Sequence, residues 1–180
     1  MKKHIVVEGI HGSGKTSVAK ALAEKVVQEG IQAQYYHFPD ETDKLGQVIR
    51  ETVADKALVK NWEITGLLYA AFSNRFHIRT KADGITYIQD RDSVTTGLVF
   101  QSAIAWEVRM AIYRQAIEHL QQQGMVLYIQ TDKETAHLRM QERNLQLQQQ
   151  GEVRQHKAKD VFIAEEFENL SFRYEKEMFS

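Results

Sequence analysis

Between Ile5 and Thr16 the chain reads IVVEGIHGSGKT, an apolar run that gives way to glycines, a lysine and a threonine. This stretch restricts the possible folds more than any other, because it demands a buried strand, a tight turn and a helix in immediate succession. Gly9, Gly14, Lys15 and Thr16 have the spacing G-x-x-x-x-G-K-[ST] of the phosphate-binding P-loop. Glycines at 9, 12 and 14 permit backbone conformations closed to residues with a Cβ, so that successive N–H groups of Gly9, Ile10, His11, Gly12, Ser13 and Gly14 can turn toward one anion. A helix starting near Lys15 adds the partial positive charge of its N-terminus. The Lys15 ammonium is placed to reach the β- and γ-phosphates of a nucleotide, and the Thr16 hydroxyl to reach Mg²⁺. Val18, Leu22 and Val26 would form the apolar face of that helix.

With 180 residues the chain suits one domain, or one domain with a small lid, around a single core. A formal net charge of −1 gives no reason to expect a nucleic-acid or anionic membrane partner. The absence of cysteine excludes disulfides, a thiol nucleophile and thiolate metal sites, and the seven histidines lack zinc-ligand spacing. Lys2 and Lys3 precede an apolar run far too short for a signal peptide, and no stretch is long enough to span a membrane. A cytoplasmic protein is the expectation.

Strand and helix signals then alternate. Gly30 stops the first helix; residues 31–38 form a second strand ending at Pro39, and 45–53 and 62–81 form helices, the second with Leu67, Leu68, Ala71 and Phe72 inward. Residues 85–89 make a third strand, followed by Asp90 and Arg91. The spacing of Trp106, Met110, Tyr113, Ile117 and Leu120 marks a long amphipathic helix, and 125–130 a fourth strand. Helices follow at 133–147 and 161–178. Residues 148–160 are too polar to be core and read as a lid, and the Gln runs at 121–123 and 148–150 read as solvated helix faces. The pattern predicts an α/β fold, a P-loop NTPase-type parallel sheet with helices on both faces and a mobile lid. Ligand sites in such a sheet lie beyond the carboxyl ends of its strands, here the P-loop, residues 38–41 and Asp90-Arg91.

An acid followed by arginine at a strand end suits phosphoryl transfer, since the carboxylate can hold hydrated Mg²⁺ and the guanidinium can fork an acceptor phosphate. An ordinary strand-end ion pair is the alternative. Arg75 either faces the same cleft or reaches solvent. Arg139 and Arg143 share a helix face ahead of Arg154, Lys157 and Lys159, either as part of the site or as a solvated charged surface.

In this order the motifs resemble the thymidylate kinase family: Glu8 to Thr16, Phe38-Pro39, Gly46 with Ile49 and Arg50, Asn74-Arg75, Asp90-Arg91, residues 97–103, and Arg139 with Arg143. The resemblance implies a P-loop nucleoside-monophosphate kinase that uses ATP and Mg²⁺ to phosphorylate a deoxynucleoside monophosphate, dTMP first among them. It implies that Lys15 and Thr16 serve ATP-Mg²⁺ and that Asp90 serves the metal and the catalytic centre. Arg143, with the basic lid, would act on the transferred group, and Arg139 on ATP. Phe38, Arg50, Phe72, Arg75 and Arg91 would hold the acceptor, with Phe100 and Gln101 near its base. Partners would be small nucleotides, with no nucleic acid or membrane, and a homodimer is left open.

The chain departs from the family pattern in places. His11 stands where Asp is usual, Asp40 and Glu41 follow Pro39 where Arg is usual, Asp92 replaces a Tyr, and Ala71 replaces a stacking aromatic. These changes keep two other readings open. A deoxynucleoside kinase would use a carboxylate at 40 or 41 as base for a 5′-hydroxyl; a nucleotide-binding module would have lost turnover.

Overall fold

The computed structural model describes residues 3–55, 57–58, 61–100 and 105–149. Four strands, β1 (His4–Glu8), β2 (Ala33–His37), β3 (Thr86–Asp90) and β4 (Gly124–Tyr128), form one sheet in the order β2-β3-β1-β4. The pairs β1–β3 and β2–β3 are parallel, with Val7 opposite Asp90 and His37 also opposite Asp90. The helices are α1 (Lys15–Gln28), α2 (Lys44–Ala54), α3 (Trp62–Ala82), α4 (Ser93–Phe100), α5 (Trp106–Gln123) and α6 (Lys133–Gln149). The alternation predicted an α/β sheet, and the structure has one. No helix among the described residues is long and apolar enough to cross a membrane.

The chain divides into two compact units. Among the described residues, one comprises residues 3–8 and 16–127, and the other residues 9–15 and 128–149.

In the first unit, β1 and β3 are buried at every position, as central parallel strands are, whereas β2 is partly exposed along the edge. The chain leaves β1 toward β2 on one side and leaves β3 toward β4 on the other. The connections therefore diverge between β1 and β3, at the point where parallel sheets open a crevice. Arg91 N–H donates to the Val7 carbonyl at 3.1 Å, so the two carboxyl ends are tied together there. Helix α3 packs on α5, α4 and α2. Gly97 of α4 is needed for that packing, because a Cβ there would overlap the phenol of the fully buried Tyr113 of α5.

Three buried faces differ from the expected ones, among them that of α5, where Tyr113 is buried but Trp106 is 39% exposed and Arg109, Ala116 and His119 take the inner positions. Helix α1 buries Ala19 and Ala23 while Val18 is 38% exposed, so its small side chains make the close approach. Helix α3 buries Phe72 but leaves Ala71 exposed and Leu67 70% exposed. Its inner stripe is Thr65, Tyr69, Phe72, Ser73, Phe76 and Thr80. The polar members can enter because Thr65 and Thr80 return their hydroxyl protons to helix carbonyls, of Asn61 at 3.1 Å and His77 at 3.2 Å. Hydrophobicity alone placed Phe72 correctly but missed the polar part of the stripe and put Leu67 and Ala71 on it. Helix α4 had no counterpart in the sequence pattern; Asp92 starts it by accepting from Val94 N–H at 3.0 Å.

In the second unit, the P-loop, Thr131 and α6 lie together. Thr131 Oγ1 donates to the Ser13 carbonyl at 3.3 Å. Gly12 has φ +80°, and a Cβ on it would run into the Ala136 carbonyl of α6. Of the expected lid, 148–160, residues 148 and 149 instead continue α6, and 150–160, with the expected helix at 161–178, lie outside the described residues.

Candidate functional site

In the first unit, polar groups collect at the carboxyl ends of three strands. Asp90 closes β3 and is fully buried. Its Oδ2 accepts from Thr16 Oγ1 at 2.5 Å, lies 3.3 Å from His37 Nδ1 and receives a long contact from the Tyr35 hydroxyl at 3.5 Å. Burial, with the Asp90 charge adding, pushes the Tyr35 phenol up to about 12, so it stays protonated and remains a donor. Alternation along β2 makes this possible: residues 35 and 37 share one face of the strand.

Arg91 follows with φ +63°, a left-handed conformation uncommon for a residue with a side chain. The turn is held from β1. Glu8, fully buried, accepts Asp92 N–H at 3.0 Å and the Thr95 hydroxyl through one oxygen, and its other oxygen lies 3.8 Å from Arg91 Nη1. Burial raises the Asp92 carboxyl to about 7, against the hydrogen bonds it receives at the start of α4, with the Glu8 charge adding to the rise. Two buried acids therefore stand behind one arginine.

The expected acceptor residues fall along one wall of this unit. Phe38 N–H donates to the Asp90 carbonyl at 3.0 Å, and its ring meets Phe72 edge-on at 4.9 Å and Tyr69 at 5.1 Å. Phe38 and Phe72 are themselves buried, so they build the wall from behind. The Arg75 guanidinium lies 4.7 Å from the centre of the Phe72 ring and donates to Asp43 Oδ2. Burial works to raise the Asp43 carboxyl, but Arg75 and the Gly46 and Leu45 N–H groups hold it below the usual range. Arg50 pairs with Glu41 at 2.5 Å. Asp40 accepts from Thr42 N–H at 2.9 Å and Thr42 Oγ1 at 2.7 Å, closing its own turn. Gln101 and the side chain of Phe100 lie outside the described residues.

In the second unit, Gly9, Ile10, His11, Gly12, Ser13, Gly14 and Lys15 form the loop. Gly12 and Gly14 take φ +80° and +91°, Ile10 and Ser13 are buried, and His11 is exposed. Lys15 Nζ donates to the Ile10 carbonyl at 3.0 Å. Arg139 Nη1 reaches the Ser13 carbonyl at 3.1 Å and the Gly12 carbonyl at 3.4 Å, so this arginine of the pair belongs to the phosphate loop. It also lines an open depression of about 500 Å³ with Gln130, Thr131, Asp132 and Thr135. Arg143 is exposed on α6.

Sequence reasoning singled out Asp90, Arg91 and Arg75 but gave no role to Glu8, Tyr35, His37 and Thr95, which support the first two, or to Asp43, which holds the third. A signal existed for two of them. An acid ending an otherwise apolar buried strand marks Glu8, and an acid three residues before Gly46 at a helix start marks Asp43.

A family model described as thymidylate kinase matches residues 7–175. A thymidylate kinase of Danio rerio is 32% identical over 104 residues, covering 55% of this chain and 47% of that protein. A probable thymidylate kinase of Methanococcus vannielii is 46% identical over 71 residues, covering 39% of this chain and 32% of that protein. The chain thus spans less than half the length of these relatives in its matches to them. Among solved structures, a deoxyadenosine kinase from M. mycoides, with products dCMP and a flexible dCDP bound, is similar with a TM-score of 0.50. That match covers 96% of this chain and 82% of that one at 18% identity, a likeness of fold.

Proposed function

This chain belongs to the thymidylate kinase family, and on that premise we propose that it transfers the γ-phosphoryl group of ATP to a deoxynucleoside monophosphate, dTMP first among them. The observation that carries the reading is the meeting of Thr16 and Asp90 at the crevice end of the sheet, with Arg91 as the next residue. An oxygen of the acceptor's phosphate would attack the γ-phosphorus while the bond to the β-phosphate oxygen breaks, leaving ADP. Such a transition state needs positioned positive charge more than covalent help. Lys15 and the loop N–H groups would hold the β- and γ-phosphates, Arg91 would fork the acceptor phosphate, and Arg139 would steady the loop from α6.

The donor set fits magnesium: a hydroxyl and a carboxylate, both hard oxygen ligands, converge within hydrogen-bond distance. Thr16 and Asp90 would hold the ion, which when bound supplies charge to the phosphates. Tyr35 and His37 would orient the Asp90 carboxylate.

One observation favours the second reading, phosphorylation of a nucleoside hydroxyl. The acid-rich turn after β2 pairs Glu41 with Arg50 and Asp43 with Arg75, lowering the positive charge available to an anionic acceptor.

The test is a coupled assay with ATP-Mg²⁺ against deoxynucleosides and their monophosphates, with Lys15→Ala as the control that should be inactive. Turnover of a monophosphate supports the proposal. Turnover of nucleosides alone selects the second reading, and nucleotide binding without turnover would leave a binding module.

A further inference from the structure

The Ser13 carbonyl of the phosphate loop accepts two hydrogen bonds from outside the loop. Thr131 Oγ1 donates to it at 3.3 Å from the turn between β4 and α6, and Arg139 Nη1 donates at 3.1 Å from α6 itself. Both acceptor positions of that oxygen are therefore filled. The same Nη1 lies 3.4 Å from the Gly12 carbonyl, so one guanidinium spans two consecutive peptides. The two donors are also fixed relative to each other. Asp132, next to Thr131, starts α6 by accepting the Thr135 N–H and the Thr135 hydroxyl, each at 2.8 Å, and its carbonyl accepts Ala136 N–H at 3.1 Å. Ala136 is fully buried where α6 rests against Gly12, and Arg139 follows three residues later on the same side of the helix.

A planar trans peptide points its carbonyl and its N–H in opposite directions. The Ser13–Gly14 peptide is trans, so a carbonyl held toward Thr131 and Arg139 turns the Gly14 N–H to the far side of the loop. Gly14, with φ +91° and no Cβ, gives that peptide little resistance to rotation of its own, and the orientation has to come from a tether. We propose that Thr131 and Arg139 are positioning residues for the phosphoryl donor: through the shared Ser13 carbonyl they keep the Gly14 N–H facing the donor's phosphates. Thr131 lies outside the phosphate-binding motif and touches no phosphate, yet it sets the affinity of the loop for a polyphosphate. The donor's phosphates are placed in the loop by the preceding reading, on which this inference rests. A guanidinium acting on the nucleotide directly would leave Thr131 without a part in binding.

Thr131→Val keeps the side-chain shape and removes the hydroxyl, Thr131→Ser returns the hydroxyl, and Arg139→Met removes both bonds from α6. Binding of ATP and of inorganic tripolyphosphate, each with Mg²⁺, should be measured by calorimetry for the native chain, the three variants and the double variant Thr131→Val with Arg139→Met. KM for ATP and for the acceptor should be measured alongside. Thr131→Val should weaken both ligands by about twofold or more, the scale of one hydrogen bond between neutral groups, and Thr131→Ser should bring the affinity back. KM for ATP should rise in proportion while KM for the acceptor does not. Because the two residues act on one carbonyl, the loss in the double variant should depart from the product of the single losses. Native tripolyphosphate affinity in Thr131→Val overturns the inference. So does a loss that Thr131→Ser shares or that falls equally on the acceptor, which is the pattern of a loosened fold. An Arg139→Met loss seen with ATP but not with tripolyphosphate, or single losses that simply multiply, would put the guanidinium on the nucleotide and overturn the shared role. A native chain that binds neither ligand defeats the loop's part in the preceding reading and this inference together. Turnover of nucleosides alone would defeat only the preceding choice of acceptor, and the donor-side measurements would decide as before.

Discussion

Thr16 and Asp90, 74 residues apart in sequence, bring a hydroxyl and a carboxylate oxygen to 2.5 Å. The contact joins the helix that follows the phosphate loop to the end of the neighbouring parallel strand. It gives the carboxyl edge of the sheet a pair of oxygen donors of the kind a small divalent cation takes.

Replacing Asp90 by Asn leaves an oxygen for Thr16 but removes the charge. The Mg²⁺ concentration giving half-maximal activity should rise by about tenfold or more, the range in which altered metal surroundings are felt. Calorimetric binding of ATP at fixed Mg²⁺ should weaken in parallel, while binding of ATP without metal should change little. Identical Mg²⁺ titrations for the variant and the native chain would remove Asp90 from the metal site.

Arg91 holds its guanidinium on a left-handed backbone that Glu8 secures from β1. Arg91→Lys keeps one charge and loses the planar fork, so KM for a monophosphate should rise by about tenfold or more while KM for ATP stays within about twofold. Equal effects on both substrates would mean that Arg91 braces the fold and makes no acceptor contact.

How far the sequence could be read follows from which interactions are local. The P-loop spacing, the helix starts and the strand ends are written in neighbouring residues, so β1, the α1 start and Asp90-Arg91 were legible to within a residue or two. The supports of those residues were not, because their partners are distant. Glu8 with Thr95, Asp43 with Arg75 and Tyr35 with Asp90 each join elements whose adjacency only the sheet order creates. The inner face of α3 was misjudged for a related reason. Thr65, Ser73 and Thr80 read as polar until their hydroxyls have somewhere to turn, and two of them bond to their own helix.

A second cluster of the first unit predicts pH-dependent stability. His4, fully buried, lies 2.7 Å from Gln89 Oε1 and stacks on Phe76, and His119 Nδ1 lies 2.8 Å from His77 Nδ1. Burial lowers His4 from 6.5 to about 4, opposed by the Gln89 contact and helped by His119. Burial, then His77 and Lys81, lower His119 equally, to about 4. The unfolded chain therefore binds more protons between these values, so the stability these histidines contribute is present above about pH 6.5 and is lost as pH falls toward 4. Asp92, with its carboxyl raised to about 7, gains stability over the same range and offsets part of this loss, but with two histidines against one acid the urea midpoint should still drop between pH 7 and 5, and His119→Gln should flatten that drop. A midpoint constant over this range would mean that both rings titrate in the fold as they do in the unfolded chain.

The acids after β2 supply the sharpest division between the two kinase readings. A nucleoside acceptor needs a base for its 5′-hydroxyl, and Asp40 or Glu41 is the candidate that position in the chain provides. The structure gives both carboxylates other work: Asp40 closes its turn onto Thr42, and Glu41 pairs with Arg50. A monophosphate acceptor presents an oxygen that is already ionised and needs no base at all. Under the monophosphate reading, Asp40→Asn and Glu41→Gln should therefore keep turnover within about threefold of native. Glu41→Gln should also lower KM for the monophosphate, because Arg50 is relieved of its counter-charge. Under the nucleoside reading, the variant lacking the base should lose about a hundredfold or more in kcat, the scale of lost general-base catalysis. Measuring kcat for the preferred acceptor at saturating ATP in both variants separates the outcomes by more than an order of magnitude. A hundredfold loss in either one would transfer the assignment from phosphate acceptors to hydroxyl acceptors.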